Sequence, residues 1–260
     1  MTGAPILELD AVTKRFGGLT VIDDLSLAVP RGARLALIGP NGAGKTTVFN
    51  LISGVYPVSA GRLFVDGVDI TAVPSSRRVR YGVARSFQNI RLMSHLSAIE
   101  NVMLGQHVRA GRLGGVLQPV NLTRRNRWRD RARAALAEAG LEAHADAAVG
   151  ALPYGVQKRI ELVRAPMAEP KLLLLDEPAA GLNPIETREL QIRLERVAAT
   201  GVTMVVVEHD MHFVGAFCDR VVVLNFGRKI AEGGPDQVRD DPEVREAYLG
   251  ADDAEDRLAS

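Results

Sequence analysis

A chain of 260 residues, 47% hydrophobic and 24% charged, is sized for one core with an inserted or appended subdomain. A net charge of +1 gives nucleic acid no bulk electrostatic handle, and a single cysteine, Cys218, rules out an internal disulfide. The opening MTGAPILELD lacks the charged and apolar regions of a signal peptide, and no apolar run reaches the roughly 18 residues of a membrane span.

Residues 6–12, ILELDAV, alternate apolar and polar as a half-buried strand does, and LTVIDDLSLAVPRG predicts a second strand ending in a Pro-Arg-Gly turn. ARLALIG at 33–39 is almost continuously apolar, the pattern of a strand buried on both faces. RLFVDGVDI at 62–70 carries Asp66-Gly67 between apolar runs, a hairpin signal. From Asn89 to about Leu152 strand-like runs vanish; SHLSAIENVMLGQHV and RRNRWRDRARAALAEAGL predict helices, with AGRLGG and LQPVN as loop. KLLLLDEP at 171–178 and VTMVVVEHD at 202–210 are again buried strands. Between them 184–199 predicts a helix that starts at Pro184, where a missing N–H does no harm. DRVVVLNFGRKIAEGG predicts a hairpin turning at Asn225-Phe226-Gly227, followed by a short helix and a disordered tail from about Ala251. Pro166 should end or kink the helix containing IELVRAP at Ala165.

Strands alternating with helices predict an α/β fold with a mostly parallel sheet, plus an antiparallel β portion and an inserted helical subdomain. The expected organisation is a discontinuous core of residues 1–89 and 156–238, a helical subdomain of 90–155, and a C-terminal helix and flexible tail of 239–260.

Gly39, Pro40, Asn41, Gly42, Ala43, Gly44, Lys45 and Thr46 fit G-x-x-x-x-G-K-[ST], placed directly between a strand and a helix. Glycines let such a loop wrap phosphates with its backbone N–H groups, and the helix adds its positive end. Lys45 is then a compact charge for the β- and γ-phosphates, Thr46 a Mg²⁺ ligand, and Thr47 within reach of the α-phosphate. Asp176, ending a buried strand, is a second metal ligand. Glu177 follows it where the backbone leaves the strand, and is the candidate general base. His209 ends another buried strand, where an imidazole is either structural, the commoner case, or a donor to the γ-phosphate. Gln88, in RSFQNI, sits where the core gives way to the helical region.

As a set, VTKRFGGLTVIDDLSLAVPRG, the glycine loop, RSFQN, LPYGVQKR, LLLLDEPAAGLNP and VVVEHD resemble the ATP-binding subunits of ABC transporters, over nearly the whole chain. That resemblance implies a P-loop NTPase core with ATP and Mg²⁺ as cofactors. It makes Phe16 the aromatic that stacks on adenine, Gln88 the glutamine of a phosphate- and metal-sensing loop, and His209 the switch histidine. Leu152, Pro153, Tyr154, Gly155, Val156 and Gln157 match the signature segment, which covers the nucleotide of a second subunit in trans. Gly181, Leu182 and Asn183 match the D-loop, with Asn183 where many members have Asp. Pro153 replaces the usual serine, removing a hydroxyl and an N–H. The site it completes either hydrolyses ATP more slowly or is sufficiently served by Gly155 and the helix dipole.

SFQNIRLMSHLSAIENVMLGQH, DEPAAGLNPIET, VEHDMHFV and DPEVREAYLG are similar to the ATPases of branched-chain amino acid importers. The implied partners are a second ATPase, two permease subunits and, indirectly, an extracytoplasmic solute-binding protein, with the chain cytoplasmic and peripheral on the inner face of the membrane and no nucleic acid. The alternatives are a motor for another solute (urea, an amide, exported lipopolysaccharide) or a soluble relative acting on ribosomes or DNA. The arginine-rich 123–136 is a solvated helix face or a contact for an anionic membrane or a permease loop.

Overall fold

The computed structural model describes residues 4–86, 92–106 and 127–248. Gln88, the loop segments predicted within 107–126 and the tail from Ala251 lie outside the described residues.

Two sheets form the core. Strands β1 (Leu7–Phe16), β2 (Leu19–Val29), β4 (Ala60–Val65) and β5 (Val68–Asp69) make an antiparallel sheet in the order β2-β1-β4-β5. The second sheet has the order β10-β9-β3-β8-β7-β6, built from β3 (Arg34–Ile38), β6 (Val83–Arg85), β7 (Leu172–Asp176), β8 (Thr203–Val207), β9 (Arg220–Asn225) and β10 (Arg228–Gly233). Its strands pair in parallel except for β10, which returns antiparallel at one edge.

β1 runs four residues beyond the predicted end at Val12, because a register break absorbs Ala11 at φ 48° and lets pairing resume. Both hairpins turn on two residues in the left-handed region, Asp66-Gly67 and Phe226-Gly227, which matches the twist of the flanking strands.

The central strands are buried on both faces, and alternate residues divide between two cores. Leu35, Leu37, Leu172, Leu174, Val205, Val207, Val222 and Leu224 join helix α1 (Lys45–Ile52) and the antiparallel sheet. Ala36, Ile38, Leu173, Leu175, Met204, Val206, Val221 and Val223 face α6 (Pro184–Ala198), α7 (Met211–Phe217) and α8 (Pro235–Arg239). A short helix α2 (Ser75–Arg78) follows β5, and its buried Arg78 guanidinium donates to the carbonyls of Leu51, Ile52 and Val73, closing the C-terminus of α1.

A third core unites α3 (Ala98–Leu104), α4 (Arg127–Glu138) and α5 (Tyr154–Arg164) through Ile99, Val102, Leu136, Leu141 and Ile160. Ser97 and Glu100 close a reciprocal cap at the start of α3. α5 ends at Arg164 and the chain tightens into a 3₁₀ turn over Ala165–Ala168, the effect expected of Pro166.

Candidate active site

The loop between β3 and α1 is shaped by glycines that only a residue without Cβ fills comfortably. Gly39, Gly42 and Gly44 have φ of 146°, 77° and 101°. A Cβ on Gly44 would lie 2.6 Å from Ile22 Cδ1. From behind, Gly227 N–H donates to the Ala43 carbonyl at 3.0 Å and Asp23 N–H to the Gly227 carbonyl at 3.1 Å, so the β9–β10 turn braces the loop. Burial pushes up the phenol pKa of Tyr248, in the helical stretch 242–248, against the lowering effect of the Gly39 N–H.

No side chain caps α1, and its first turn holds no acid. Its positive end and leading N–H groups are therefore suited to an anion. Lys45 Nζ bends back to donate to the carbonyls of Gly39 at 2.6 Å and Pro40 at 2.9 Å. Burial lowers its pKa, opposed by the charge of Glu177. Thr46 is exposed and Thr47 half-buried at the same helix end, as are Asn41 and Pro40 along the loop, with Ala43 buried beneath it.

Asp176 ends β7, and its side chain is 5% exposed. Arg85 of the neighbouring strand donates to Asp176 Oδ2 at 2.6 Å and to Asn50 Oδ1 at 2.7 Å, linking the carboxylate to α1. Two carboxylates can leave one strand end on the same side only if the backbone turns between them. It does: Glu177 has φ 45°, and its N–H donates to the Val207 carbonyl at 2.9 Å. A non-glycine residue held there stores strain of about 1–3 kcal/mol, which surrounding contacts must offset.

His209 follows β8 with its side chain 70% exposed, between the buried Glu208 and Asp210, whose carboxylate caps α7. Phe16, at the end of β1, is 41% exposed; Tyr56 meets it edge-to-face at 5.2 Å and Lys14 Nζ lies 4.7 Å from its ring centre. A partly exposed ring of this kind can stack on a flat heterocycle.

Gly181, at φ 76°, lets the chain turn after Glu177, and Leu182 N–H closes on the Ala179 carbonyl at 3.1 Å. Asn183 then caps α6: its Oδ1 accepts from Ile185 and Glu186 N–H, each at 3.0 Å, and Glu186 returns a carboxylate to Asn183 N–H. An Asn serves this cap as well as an Asp does.

Pro153 is the N-cap of α5, with φ −57° and ψ 149°, and supplies no side-chain cap. Tyr154 is 60% exposed, Gly155 has open space where a Cβ would be, and Val156 and Leu152 pack against the helical core. Gln157 Nε2 donates to the Leu152 carbonyl at 2.7 Å. α5 thus presents a second uncapped helix start, with no acid in its first turn.

The ABC transporter family description matches residues 22–180, more than half the chain. The chain belongs to the ABC transporter ATP-binding family. A second description, branched-chain amino acid ATP-binding cassette transporter, matches residues 228–254. The chain is 41% identical to the high-affinity branched-chain amino acid transport ATP-binding protein BraF of Pseudomonas aeruginosa, covering 95% of this chain and 98% of that one. It is 39% identical, over the same shares, to the Escherichia coli K12 protein LivG, of the same description. The lipopolysaccharide export ATP-binding protein LptB of E. coli K12 is 33% identical over 93% of this chain and 95% of its own. Among solved structures, the ADP conformation of the ATP-binding cassette MJ1267 superposes with a TM-score of 0.82 at 29% identity, covering 95% of this chain and 100% of that one. As an ABC ATPase the chain couples ATP hydrolysis to transport.

Three residues of this site escaped the sequence reading: Arg85, Lys158 and Glu208. All are charged and buried. Nothing in a single sequence separates them from solvated charges, although Glu208 sits between a β-strand and His209, already a candidate.

Proposed function

We propose that the chain is one ATPase subunit of an importer for branched-chain amino acids, paired with a second ATPase beneath two permease subunits and fed by an extracytoplasmic binding protein. The observation that carries this reading is that both BraF and LivG align over 95% of the chain, while the separate branched-chain description matches its C-terminal part. LptB, at 33%, supports a different cargo less well. The site of action is the cytoplasmic face of the membrane; no helix among the described residues is long and apolar enough to cross it.

Phe16 stacks on adenine; the loop from Gly39 to Gly44, with Lys45 and Thr47, grips the phosphates. Thr46 and Asp176, together with Gln88, would hold Mg²⁺. A few oxygen donors beside a phosphate grip suit an ion that keeps much of its coordination for phosphate and water. When bound, the ion neutralises charge developing on the phosphates. Glu177 takes the proton of the attacking water, and His209 donates to the γ-phosphate. The uncapped start of α5 (Leu152 to Gln157) closes over the partner's γ-phosphate, and Gly181 to Asn183 lie at the junction between subunits. The helical region 90–155 passes the resulting motion from the core (1–89 and 156–238) to the permease, and 239–260 forms the C-terminal appendage.

Two measurements test this. Glu177→Gln with ATP and Mg²⁺ should trap nucleotide in a lasting paired assembly; failure to trap overturns the clamp mechanism. Co-expression with the cognate permeases should move the chain to the membrane fraction, with ATPase stimulated by loaded leucine-, isoleucine- or valine-binding protein. Stimulation only by another solute overturns the cargo assignment.

A further inference from the structure

We propose that Lys158 and Glu208 are positioning residues for Glu177, a buried pair of opposite charges that grips the turn 177–180 from two sides. This rests on the reading of Glu177 as general base.

The contacts fall on three residues of one tight turn, Glu177, Ala179 and Ala180. Lys158, buried in the first half of α5, donates from Nζ to the carbonyls of Glu177 at 3.3 Å and of Ala180. Glu208, 1% exposed at the end of β8, accepts from the Ala179 N–H at 2.8 Å and from the His209 N–H at 3.2 Å. Val207 accepts from the Glu177 N–H, completing the set. A cation thus holds two carbonyls of the turn while an anion holds an amide between them. Such charge-assisted bonds are about twice as strong as neutral ones. They supply the restraint that a left-handed Glu177 needs, since that conformation does not persist unaided.

Burying either charge is unfavourable, and the titration directions agree with that. Burial lowers the Lys158 pKa, with the carboxylates of Glu208, Glu177 and Glu161 opposing it. Burial raises that of Glu208, against the amides it accepts from and the neighbouring His209. A fold that needed only a filled space here would do as well with apolar side chains. These charges instead fix the direction in which Glu177 leaves the strand.

The placement has a second effect. Lys158 sits four residues after Tyr154 on α5, the helix whose start serves the partner's site. Glu208 precedes the switch histidine. A shift of either element therefore reaches the base of this chain's own site through the turn, without a contact to nucleotide.

The test uses the assembled transporter with Lys158→Met, Lys158→Arg and the double variant Lys158→Met/Glu208→Gln, which removes both charges and leaves none buried alone. Lys158→Met should lower kcat at least tenfold while the Kd for a fluorescent ATP analogue changes less than twofold. Lys158→Arg should recover at least a third of the rate. The double variant should stay at least tenfold slow, because the carbonyl ties are still missing. In a Glu177→Gln background, Lys158→Met should trap ATP to the same extent as Glu177→Gln alone. A double variant at the wild-type rate overturns the proposal, because the pair would then only balance charge. Loss of ATP binding or trapping in step with kcat also overturns it. If Lys158→Met does not fold, the charge-neutral double variant against Lys158→Arg makes the same comparison. Full turnover by Glu177→Gln alone is a different failure, that of the general-base assignment.

Discussion

Replacing Pro153 by serine restores a hydroxyl and a backbone N–H at the N-cap of α5. The backbone there, φ −57° and ψ 149°, is already the extended conformation of a cap, so serine enters without rearrangement. The first turn has no acid to compete for its N–H groups. A serine cap contributes about 1 kcal/mol to stability, and removing proline from the unfolded chain's constraints offsets about 0.4–1 kcal/mol of that. The unfolding midpoint should therefore stay within about 2 °C. On the proposed reading the added donor would face the partner's nucleotide, where a hydrogen bond to a charged group is worth about 1.5–3 kcal/mol. If only the lower figure is realised in the transition state, hydrolysis at that site rises about tenfold. The assay is single-turnover ATP hydrolysis in the assembled complex, with the other site silenced. An unchanged rate in folded protein refutes the reasoning and leaves Gly155 and the helix dipole as sufficient.

Gly44→Ala puts a Cβ 2.6 Å from Ile22 Cδ1 at φ 101°; it should cost about 1–3 kcal/mol and abolish ATP-analogue binding, measured by fluorescence and calorimetry. Arg78→Met strands the carbonyls of Leu51 and Ile52 at the end of α1, each costing about 1–3 kcal/mol, and should lower the midpoint by about 4–12 °C with ATP affinity reduced only through unfolding. Burial pushes the Cys218 thiol from the ordinary 9.0 up to about 12. The folded chain thus keeps a proton that the unfolded chain sheds above pH 9, so stability present below that pH is lost, at about 1.4 kcal/mol per pH unit, as pH rises toward 12. Cys218→Ser should flatten that part of the urea-derived stability curve, and iodoacetamide at pH 8 should label the wild-type thiol only on unfolding.

The parts of the fold legible in the sequence were those whose signal is local. Leu172–Leu175 and Val205–Val207 are apolar on both faces and so read as buried strands, and Asp66-Gly67 marked its turn through the backbone it demands. Pro166 marked the end of α5 because its ring cannot continue a helix. The glycine loop was legible because its residue types and spacing are dictated by phosphate. What stayed hidden depends on partners distant in sequence. β6 is three residues long and exists because it pairs with β7, far along the chain, Val83 against Leu172. α2 is too short for a periodic signal and is held by Arg78. Lys158 reads as one more polar residue in VQKRIE, yet tertiary contacts bury it against a turn nineteen and more residues on.

The strand that launches the phosphate loop lies between β8 and β9, and the loop leans on Gly227. Residues 34–46 therefore leave the ribosome long before the segments that fix their shape. A nascent chain halted before residue 203 has neither flanking strand nor the turn that braces the loop, so the loop's final support arrives late in synthesis.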